Sequence, residues 1–316
     1  MKLLFLLTFP EAVRNQYRDR IAAEFPELTV DIVDHHSKVD PYIGSADILM
    51  TFGAQLADHV LEKATNLKWI QALGTGVDGI TDRPALGAGV LVTNLRGLHG
   101  ASVSEAALAA MLALARNLPR AVRSQVAGRW DRFPVTLLKG ATVGILGVGA
   151  IAEELAPRCA ALGMKVVGIS ASKREVPGFV AMRGRDELLA VMPELDFLVL
   201  LTPYTPETRG IVNARVLAAM KRSAFLVNVA RGGIVDEPAL IEALRGGTIA
   251  GAGLDVFAEE PLPEGHPFYS MENVIVTPHM AGFHAGYPAE ALPVVEENIR
   301  HFLAGDLDQM LNVVRR

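Results

Sequence analysis

Short runs of β-branched and aliphatic residues alternate with helical patterns along the whole chain. Nearly every position of a run is apolar, as in Leu3 to Leu7, Thr142 to Leu146 and Phe225 to Val229. Strands of this composition are buried on both faces, and the helices between them form the crossovers of parallel sheets. The pattern therefore predicts an α/β protein built from two doubly wound parallel-sheet domains.

A long helical pattern from about Ser102 to Arg116 separates two sets of predicted strands, just after the glycine-interrupted stretch "NLRGLHG", Asn94 to Gly100. A last predicted helix, about Tyr287 to Leu303, follows the second set, and we expect it to pack back on the first domain. We therefore predict one discontinuous domain of residues 1–98 plus 281–316 and another of residues 99–280. The strands of the two sets are Leu3 to Leu7, Val30 to Val33, Ile48 to Phe52, Trp69 to Leu73 and Val90 to Thr93, and then Thr142 to Leu146, Lys165 to Ile169, Phe197 to Leu201, Phe225 to Val229, Gly251 to Val256 and Val274 to Thr277.

Length and charge narrow the class of protein. A chain of 316 residues is long enough for two domains with sizeable cores. A net charge of -5 argues against nucleic acid or an anionic membrane surface as the main partner. The single cysteine, Cys159, excludes an intramolecular disulfide and fits a reducing cytosol, so we expect a cytoplasmic protein. The first residues, "MKLLFLLTFPEA", predict a strand rather than a signal peptide.

A glycine-rich turn joins a predicted strand to a predicted helix in "GILGVGAIA". The spacing is G-x-G-x-x-A, in which the glycines allow a tight turn and a close backbone approach to a pyrophosphate at the helix amino terminus. An ordinary tight turn is the alternative, but a run of βα units follows this one. The pattern predicts a dinucleotide site at Gly147, Gly149, Ala150 and Ile151.

The acid that usually accompanies such a turn in NAD-binding chains is missing. An Asp or Glu about 20 residues on would hold the ribose hydroxyls. Here the second strand ends at Ser170, and Ser172, Lys173 and Arg174 follow. A serine with nearby cations would attract a 2'-phosphate that a carboxylate would repel. We predict that NADP(H) is preferred and NAD(H) possible; a solvated basic loop is the alternative.

Three polar residues follow strands of the second set, at the edge where open α/β sheets bind ligands. Arg231, in "NVARGGIVDE", offers a planar fork for an anionic substrate such as a 2-oxo acid. His279, in "IVTPHMAGFH", is suited to exchange a proton with a carbonyl or hydroxyl oxygen. Glu260, in "GLDVFAEEPLP", is suited to orient that imidazole. The alternatives are a surface ion pair, a loop charge and a strand-end histidine with a structural role.

The other histidines do not predict a metal site. His35 and His36 are adjacent in a loop, so their side chains are not expected to share a face. No cysteine or suitably spaced carboxylate completes a ligand set around them. We therefore predict no metal.

The motifs "GILGVGAIA", "LLTPYTPETRGIVN", "NVARGGIVDE", "GLDVFAEEPLP" and "VIVTPH" resemble those of the D-isomer-specific 2-hydroxyacid dehydrogenase family, and the likeness spans nearly the whole chain. The resemblance implies a catalytic set of Arg231, Glu260 and His279. It also implies that Thr75 and Gly76, in "LGTGVD", offer backbone N–H groups to the substrate carboxylate. The positions that match the nicotinamide side of the family's site are Val103, Thr202, Ala230 and Asp255, of which Asp255 is the usual partner of the carboxamide.

The same resemblance implies a flavodoxin-like substrate domain made from both chain ends around a Rossmann nucleotide domain, in a homodimer joined largely through the nucleotide domain. The departures are Ser170, where NAD-using members carry Asp, and Ala152 in place of the third glycine. Because a serine followed by basic residues occurs in NADP-dependent glyoxylate and hydroxypyruvate reductases of this family, the chain most resembles those enzymes, which transfer hydride from NADPH to a small 2-oxo acid and form the D-2-hydroxy acid. An NAD(P)-sensing binding protein, similar to the corepressors related to this family, is the alternative.

Overall fold

The computed structural model describes residues 1–172 and 175–315, which form two compact units. The first unit comprises Met1–Leu98 and His284–Arg316, and the second comprises His99–Phe283. Each unit has one parallel sheet with helices, so the predicted fold class is confirmed.

The strands agree with the apolar runs, and an extra strand, β8, lies at one edge of the second sheet. The predicted runs miss β8 because its sequence "AMRG" is short, half-buried and partly polar. The strands are β1 (Lys2–Leu6), β2 (Thr29–Val33), β3 (Ile48–Thr51), β4 (Trp69–Ala72), β5 (Leu91–Thr93), β6 (Thr142–Leu146), β7 (Lys165–Ser170), β8 (Ala181–Gly184), β9 (Phe197–Leu200), β10 (Phe225–Asn228), β11 (Gly251–Leu254) and β12 (Val274–Val276).

All helices but the last lie between these strands along the chain, as expected for parallel connections. They are α1 (Glu11–Glu24), α2 (Asp40–Ile43), α3 (Asp58–Lys63), α4 (Gly100–Ala115), α5 (Leu118–Val126), α6 (Ala150–Ala161), α7 (Leu188–Val191), α8 (Ala214–Ala219), α9 (Glu237–Arg245), α10 (Pro267–Ser270) and α11 (Tyr287–Ala304). Short 3₁₀ turns occur as well, one of them at Gly232–Ile234.

The sheet of the first unit has the strand order β2-β1-β3-β4-β5, all parallel, which is the flavodoxin-like order. Helix α11 packs on one face of this sheet beside α1, where Val295 and Ile299 meet Tyr17 and Ile21 in one apolar cluster. Helix α11 therefore belongs to the first unit.

The sheet of the second unit has the order β12-β11-β10-β9-β6-β7-β8. Counted from β6, this is the Rossmann order 3-2-1-4-5-6 with one further strand, β12. The order reverses at β6, so the glycine turn after β6 lies at the switch point where such sheets bind their ligands. Helices α4 and α6 pack against one face of this sheet. They contribute Ala107, Met111 and Leu155 to the apolar cluster there.

Within residues 1–172 and 175–315, no helix combines the length and the apolar character that crossing a bilayer requires.

Candidate active site

Arg231 lies in a tight turn that begins at the last residue of β10. The Asn228 side chain holds this turn from both sides, because its Oδ1 accepts the Ala230 N–H at 3.1 Å and its Nδ2 donates to the Arg231 carbonyl at 2.9 Å. The half-buried guanidinium donates from Nη1 to the Ala230 carbonyl at 2.7 Å. The buried strand therefore ends in a braced turn that carries the cation out of the core.

The two glycines after Arg231 are closely packed. A Cβ on Gly232 would lie 1.9 Å from the Phe257 carbonyl carbon, and one on Gly233 would lie 2.7 Å from the Tyr204 ring. At Gly232 the atoms in the way are backbone, so only glycine fits, whereas a side chain at Gly233 would require the partly exposed Tyr204 ring to move. The turn that carries Arg231 is thereby pressed against the backbone that leads to Glu260.

Glu260 and His279 are hydrogen-bonded to each other. The Oε2 atom of Glu260 is 2.6 Å from Nδ1 of His279, and its Oε1 accepts the Phe257 N–H at 3.0 Å. The side chains are 26% and 40% exposed, so the pair is open to solvent on one side. With Nδ1 engaged by the carboxylate, Nε2 is the ring nitrogen left to meet a reacting oxygen.

Burial by itself would raise the pKa of the Glu260 carboxyl. The bond from His279, the Phe257 N–H and the positive charge of Arg231 act in the other direction and hold that pKa below its ordinary value. Glu260 is therefore an ionised carboxylate at neutral pH. The structure thus brings Arg231, Glu260 and His279 into one electrostatic cluster.

Asp255 organises the backbone on which His279 lies. This residue is only 3% exposed. Its Oδ1 accepts from the Thr277 hydroxyl at 2.5 Å and from the Met280 N–H at 3.0 Å, and its Oδ2 accepts from the Ala281 N–H at 2.9 Å. Its carbonyl also accepts the His279 N–H at 2.8 Å. Both carboxylate oxygens serve the loop after β12, and the expected contact with a nicotinamide carboxamide remains a prediction.

His279 itself has a left-handed backbone, with φ 49°. A non-glycine residue rarely adopts this conformation, and such strain is characteristic of functional sites. The hydrogen bonds from Asp255 on either side of His279 determine this backbone and therefore the direction of the imidazole.

The glycine turn after β6 is tight and closely packed at its first glycine. Gly147 has φ 99°, and a Cβ there would lie 2.4 Å from the backbone nitrogen of Thr202. Gly149 is extended and immediately precedes α6, and a Cβ there would meet no atom within 4 Å. The first N–H groups of a helix lack intrahelical acceptors and favour an anion. The turn can therefore hold a phosphate against the start of α6, at Ala150 and Ile151.

The other predicted cofactor residues of the second unit lie on several elements. Val103 is buried in α4, and Ala230 lies between Asn228 and Arg231. Ser170 ends β7, and its hydroxyl accepts the Ser172 N–H at 3.4 Å. The predicted basic residues Lys173 and Arg174 lie outside the described residues.

The predicted substrate-carboxylate residues, Thr75 and Gly76, belong to the first unit, on the loop that follows β4. Both are half-buried. The carbonyl of Thr75 accepts the Asn94 Nδ2–H at 2.7 Å, so the loop is attached to the segment after β5.

Sequence reasoning missed a second glutamate that supports the Glu260 loop. Glu237 accepts the Ala258 N–H through Oε2 at 3.1 Å, and its Oε1 is 3.4 Å from Nε2 of His266. The motif "GIVDE" ends with this residue, but helix-opening acids are common, and only the folded chain brings Glu237 to Ala258. Asn228 was also missed, although its position at the end of a buried strand was a signal.

One expectation about the histidines was wrong. The rings of His35 and His36 face each other with centroids 4.0 Å apart, and the His59 ring lies 5.2 Å from that of His36. Across the part of the chain that the structure describes, no group of three or more His, Cys, Asp or Glu side chains is arranged to hold a metal ion.

Comparison with known proteins adds independent information. The family model for the NAD-binding domain of D-isomer-specific 2-hydroxyacid dehydrogenases matches residues 108–281. A solved NADPH-dependent glyoxylate/hydroxypyruvate reductase from Sinorhizobium meliloti, in complex with NADP and sulfate, superimposes with a TM-score of 0.83 at 30% identity, covering 99% of this chain and 98% of that chain.

Two curated relatives are similar in sequence. The D-3-phosphoglycerate dehydrogenase of Methanocaldococcus jannaschii is 39% identical over 276 residues, which is 86% of this chain and 52% of that protein. The chain thus spans about half the length of that relative. The glycerate dehydrogenase of Methylorubrum extorquens is 34% identical over 274 residues, 82% of this chain and 83% of that protein. The chain belongs to the D-isomer-specific 2-hydroxyacid dehydrogenase family.

Proposed function

We propose that this protein is an NADPH-dependent reductase of small 2-oxo acids, of the glyoxylate or hydroxypyruvate type, that forms the D-2-hydroxy acid. One observation carries the proposal: an imidazole hydrogen-bonded to an ionised carboxylate lies within the field of an arginine. All three follow strands of one parallel sheet, on the edge that also carries the glycine turn.

The chemistry assigned to each side chain follows from its charge and its partners. A bound NADPH would supply a hydride to the substrate's carbonyl carbon. His279 gives a proton to the carbonyl oxygen through Nε2, while Glu260 holds Nδ1 and stabilises the imidazolium before that transfer. Arg231 binds the carboxylate and draws negative charge toward the carbonyl oxygen. In the reverse direction His279 accepts the hydroxyl proton.

The cofactor site fits a nicotinamide dinucleotide. A side chain at Gly147 would collide with the Thr202 backbone, and the space beside Gly149 at the start of α6 is open to a phosphate. The preference for NADPH is supported by Ser170, because a serine at the end of β7 leaves the ribose 2'-phosphate without the repulsion of a carboxylate. The Sinorhizobium meliloti reductase is named NADPH-dependent. We assign Val103, Thr202, Ala230 and Asp255 to the nicotinamide side.

The substrate carboxylate is assigned to Arg231 and to the backbone N–H groups of Thr75 and Gly76. The assignment of Thr75 and Gly76 rests on the family resemblance of "LGTGVD" and on the way the loop is held, which is treated below.

We also propose a cytoplasmic homodimer joined through the second unit. Helix α5 and the segment after it present apolar side chains to solvent, among them Val126 at 84%, Trp130 at 94% and Leu137 at 63% exposure. A cluster of such exposed residues is typical of an interaction surface. The single, buried Cys159 fits a reducing compartment.

The experiment is a panel of glyoxylate, hydroxypyruvate, pyruvate and 3-phosphohydroxypyruvate, each assayed with NADPH and with NADH at the nicotinamide absorbance. We expect the highest kcat/KM for glyoxylate or hydroxypyruvate with NADPH. A clear preference for 3-phosphohydroxypyruvate would overturn the substrate assignment in favour of the activity named for the phosphoglycerate dehydrogenases. Tight NADPH binding without any turnover would favour a nucleotide-sensing binding protein instead.

The variant that tests the proposed site is Arg231→Ala. It should raise KM and lower kcat, with a total loss in transition-state stabilisation of at least about 2 to 4 kcal/mol, typical for removal of an electrostatic stabiliser. Near-wild-type turnover by this variant would end the assignment of the site.

A further inference from the structure

The segment Leu73–Gly76, here called the β4 loop, is held by a tyrosine distant in sequence. The phenol of Tyr287, at the start of α11, donates to the Leu73 carbonyl at 2.5 Å. Tyr287 is 2% exposed, and burial, with the neighbouring Tyr17 and Glu290, raises its pKa far above the ordinary value. The phenol is therefore protonated at every physiological pH and remains a donor.

The next two carbonyls of the β4 loop are held by the segment after β5. The Leu95 N–H donates to the Gly74 carbonyl at 3.0 Å. The Asn94 side chain donates from Nδ2 to the Thr75 carbonyl at 2.7 Å. Three successive carbonyls of the loop thus each accept a hydrogen bond from a donor outside it.

This pattern determines where the loop directs its N–H groups. In a trans peptide the C=O and the following N–H point in opposite directions. Because the carbonyls of Leu73, Gly74 and Thr75 are directed at their donors, the N–H groups of Gly74, Thr75 and Gly76 point away from those donors. The last two of these are the groups assigned to the substrate carboxylate.

Asn94 is itself held in place. Its Oδ1 accepts the Arg96 N–H at 3.2 Å, and its backbone N–H donates to the Asn312 carbonyl at 3.2 Å. The segment around Asn312 lies along β5, with Thr93 and Val313 forming an antiparallel bridge. The Asn94 side chain, which donates to the Thr75 carbonyl, is therefore held in one orientation by hydrogen bonds to its own Oδ1 and from its backbone.

We propose that Asn94 and Tyr287 are positioning residues that orient the Thr75 and Gly76 peptides toward the carboxylate of the 2-oxo acid. This inference rests on the proposed function and assigns how its carboxylate subsite is built. Neither side chain is assigned a contact with substrate, so each acts through the loop.

The test uses Asn94→Ala and Tyr287→Phe in the full chain. Kinetics are measured with glyoxylate at saturating NADPH, and the dissociation constant of oxamate, a 2-oxo acid analogue, is measured on the NADPH complex. We expect each variant to raise both the KM for glyoxylate and the oxamate dissociation constant about tenfold, the weakening expected from one hydrogen bond. The dissociation constant for NADPH, measured by nicotinamide fluorescence, should not change.

The matched control is Asn66→Ala. Asn66 precedes β4 in the same unit, and its side chain donates from Nδ2 to Oδ1 of Asp47 at 3.0 Å rather than to the β4 loop or to Asn94. This variant should keep the wild-type KM for glyoxylate. Thermal unfolding of each variant shows whether it is folded, and Tyr287→Phe keeps the test usable if Asn94→Ala does not fold.

The outcomes separate this inference from the proposed function. An active wild-type enzyme whose folded variants keep their KM and oxamate affinity overturns the positioning role alone. The role is also overturned if the variants weaken NADPH binding as much as oxamate binding, because the damage is then general. A wild-type chain that reduces no 2-oxo acid refutes the proposed function and the positioning role together.

Discussion

Gly232 lies so close to Phe257 that a Cβ on the glycine would be 1.9 Å from the Phe257 carbonyl carbon and 2.0 Å from its oxygen. The contact joins two turns at the carboxyl edge of the second sheet, one carrying Arg231 and the other leading to Glu260. Because the atoms in the way are backbone, no side-chain rotation can relieve the clash.

Replacement of Gly232 by Ala should therefore displace the Glu260 loop relative to Arg231. We expect kcat/KM to fall by about 100-fold, as for a misplacement of roughly 1 Å in an active site. The control is Gly89→Ala, where an added Cβ would meet no atom within 4 Å. The measurement is kcat/KM of both variants by steady-state kinetics. Equal kcat/KM values would contradict the packing argument.

Glu260→Gln should remove the charge that braces His279 and keep the size of the side chain. We expect kcat at neutral pH to fall by about 100-fold, the lower end of the range for acid–base assistance. Steady-state kinetics at pH 7 check this, and a kcat within a few-fold of wild type would argue against a brace.

The same variant makes a prediction about stability. The pKa of Glu260 is lowered in the folded state from its ordinary value of 4.5, so the carboxylate stabilises the fold above that value. The contribution is lost as pH falls through the lowered pKa. The difference in Tm between wild type and Glu260→Gln should therefore stay constant from pH 7 to about 5 and narrow as the pH falls below 4.5. A difference that does not narrow below pH 4.5 would show that the Glu260 charge does not act on stability.

Asp255→Asn should disturb the loop that carries His279. An amide in place of the carboxylate turns its NH₂ group toward one of the donors from Thr277, Met280 or Ala281. We expect a loss in unfolding free energy of about 1 to 3 kcal/mol, typical for an unsatisfied buried polar group, together with a reduced kcat. Chemical denaturation and kinetics measure the two effects.

The control for that variant is Asp236→Asn. Asp236 caps α9 by accepting the Ala239 N–H at 3.1 Å, and asparagine is as good a cap as aspartate. It should leave stability and kcat unchanged. Equal losses in the two variants would mean that removal of a carboxylate anywhere on this unit has the same effect.

His36→Gln should make the first unit less sensitive to mild acid. Burial, followed by the nearby imidazoles of His35 and His59, lowers the pKa of His36. The folded state then binds fewer protons than the unfolded chain, so stability decreases as pH falls through the ordinary histidine range, about 6.5. Urea denaturation at pH 7.5 and 5.5 should show a smaller loss for the variant, and an identical loss would count against this cluster.

Ser170→Asp should shift the cofactor preference toward NADH. A carboxylate at the end of β7 can bind the ribose hydroxyls of NAD and repels a 2'-phosphate. We expect the ratio of kcat/KM with NADPH to that with NADH to fall by at least about tenfold, or 1.4 kcal/mol. Ser170→Ala separates the charge from loss of the hydroxyl, because it should not improve NADH. An unchanged ratio in the aspartate variant would show that residue 170 does not determine the cofactor preference.

Much of the fold could be predicted from local sequence. In residues 1–172 and 175–315, the apolar runs coincide with every strand except β8, a short edge strand that contains the polar residue Arg183. Gly147 could be recognised from the G-x-G-x-x-A spacing. The structure gives the physical reason for this glycine, since its positive φ and its backbone contact leave no room for a Cβ.

The contacts that build the candidate site were harder to predict from the sequence. Arg231, Glu260 and His279 could be proposed from strand ends and motifs, whereas the use of both Asp255 oxygens by the loop after β12 could not. The contact between the His35 and His36 rings was also missed, because a loop conformation, unlike a strand, has no fixed side-chain period.

The sequence by itself determined the alternation of strands and helices, the glycine turn and the chemical identity of the candidate catalytic side chains, because periodicity and glycine requirements act over a few residues. Only the tertiary structure decided that Gly232 meets Phe257, that Asp255 holds the backbone of His279, and that Asn94 and Tyr287 donate hydrogen bonds to carbonyls of the β4 loop. These contacts join residues distant along the chain, and their geometry depends on how strands and loops pack, which no local pattern encodes.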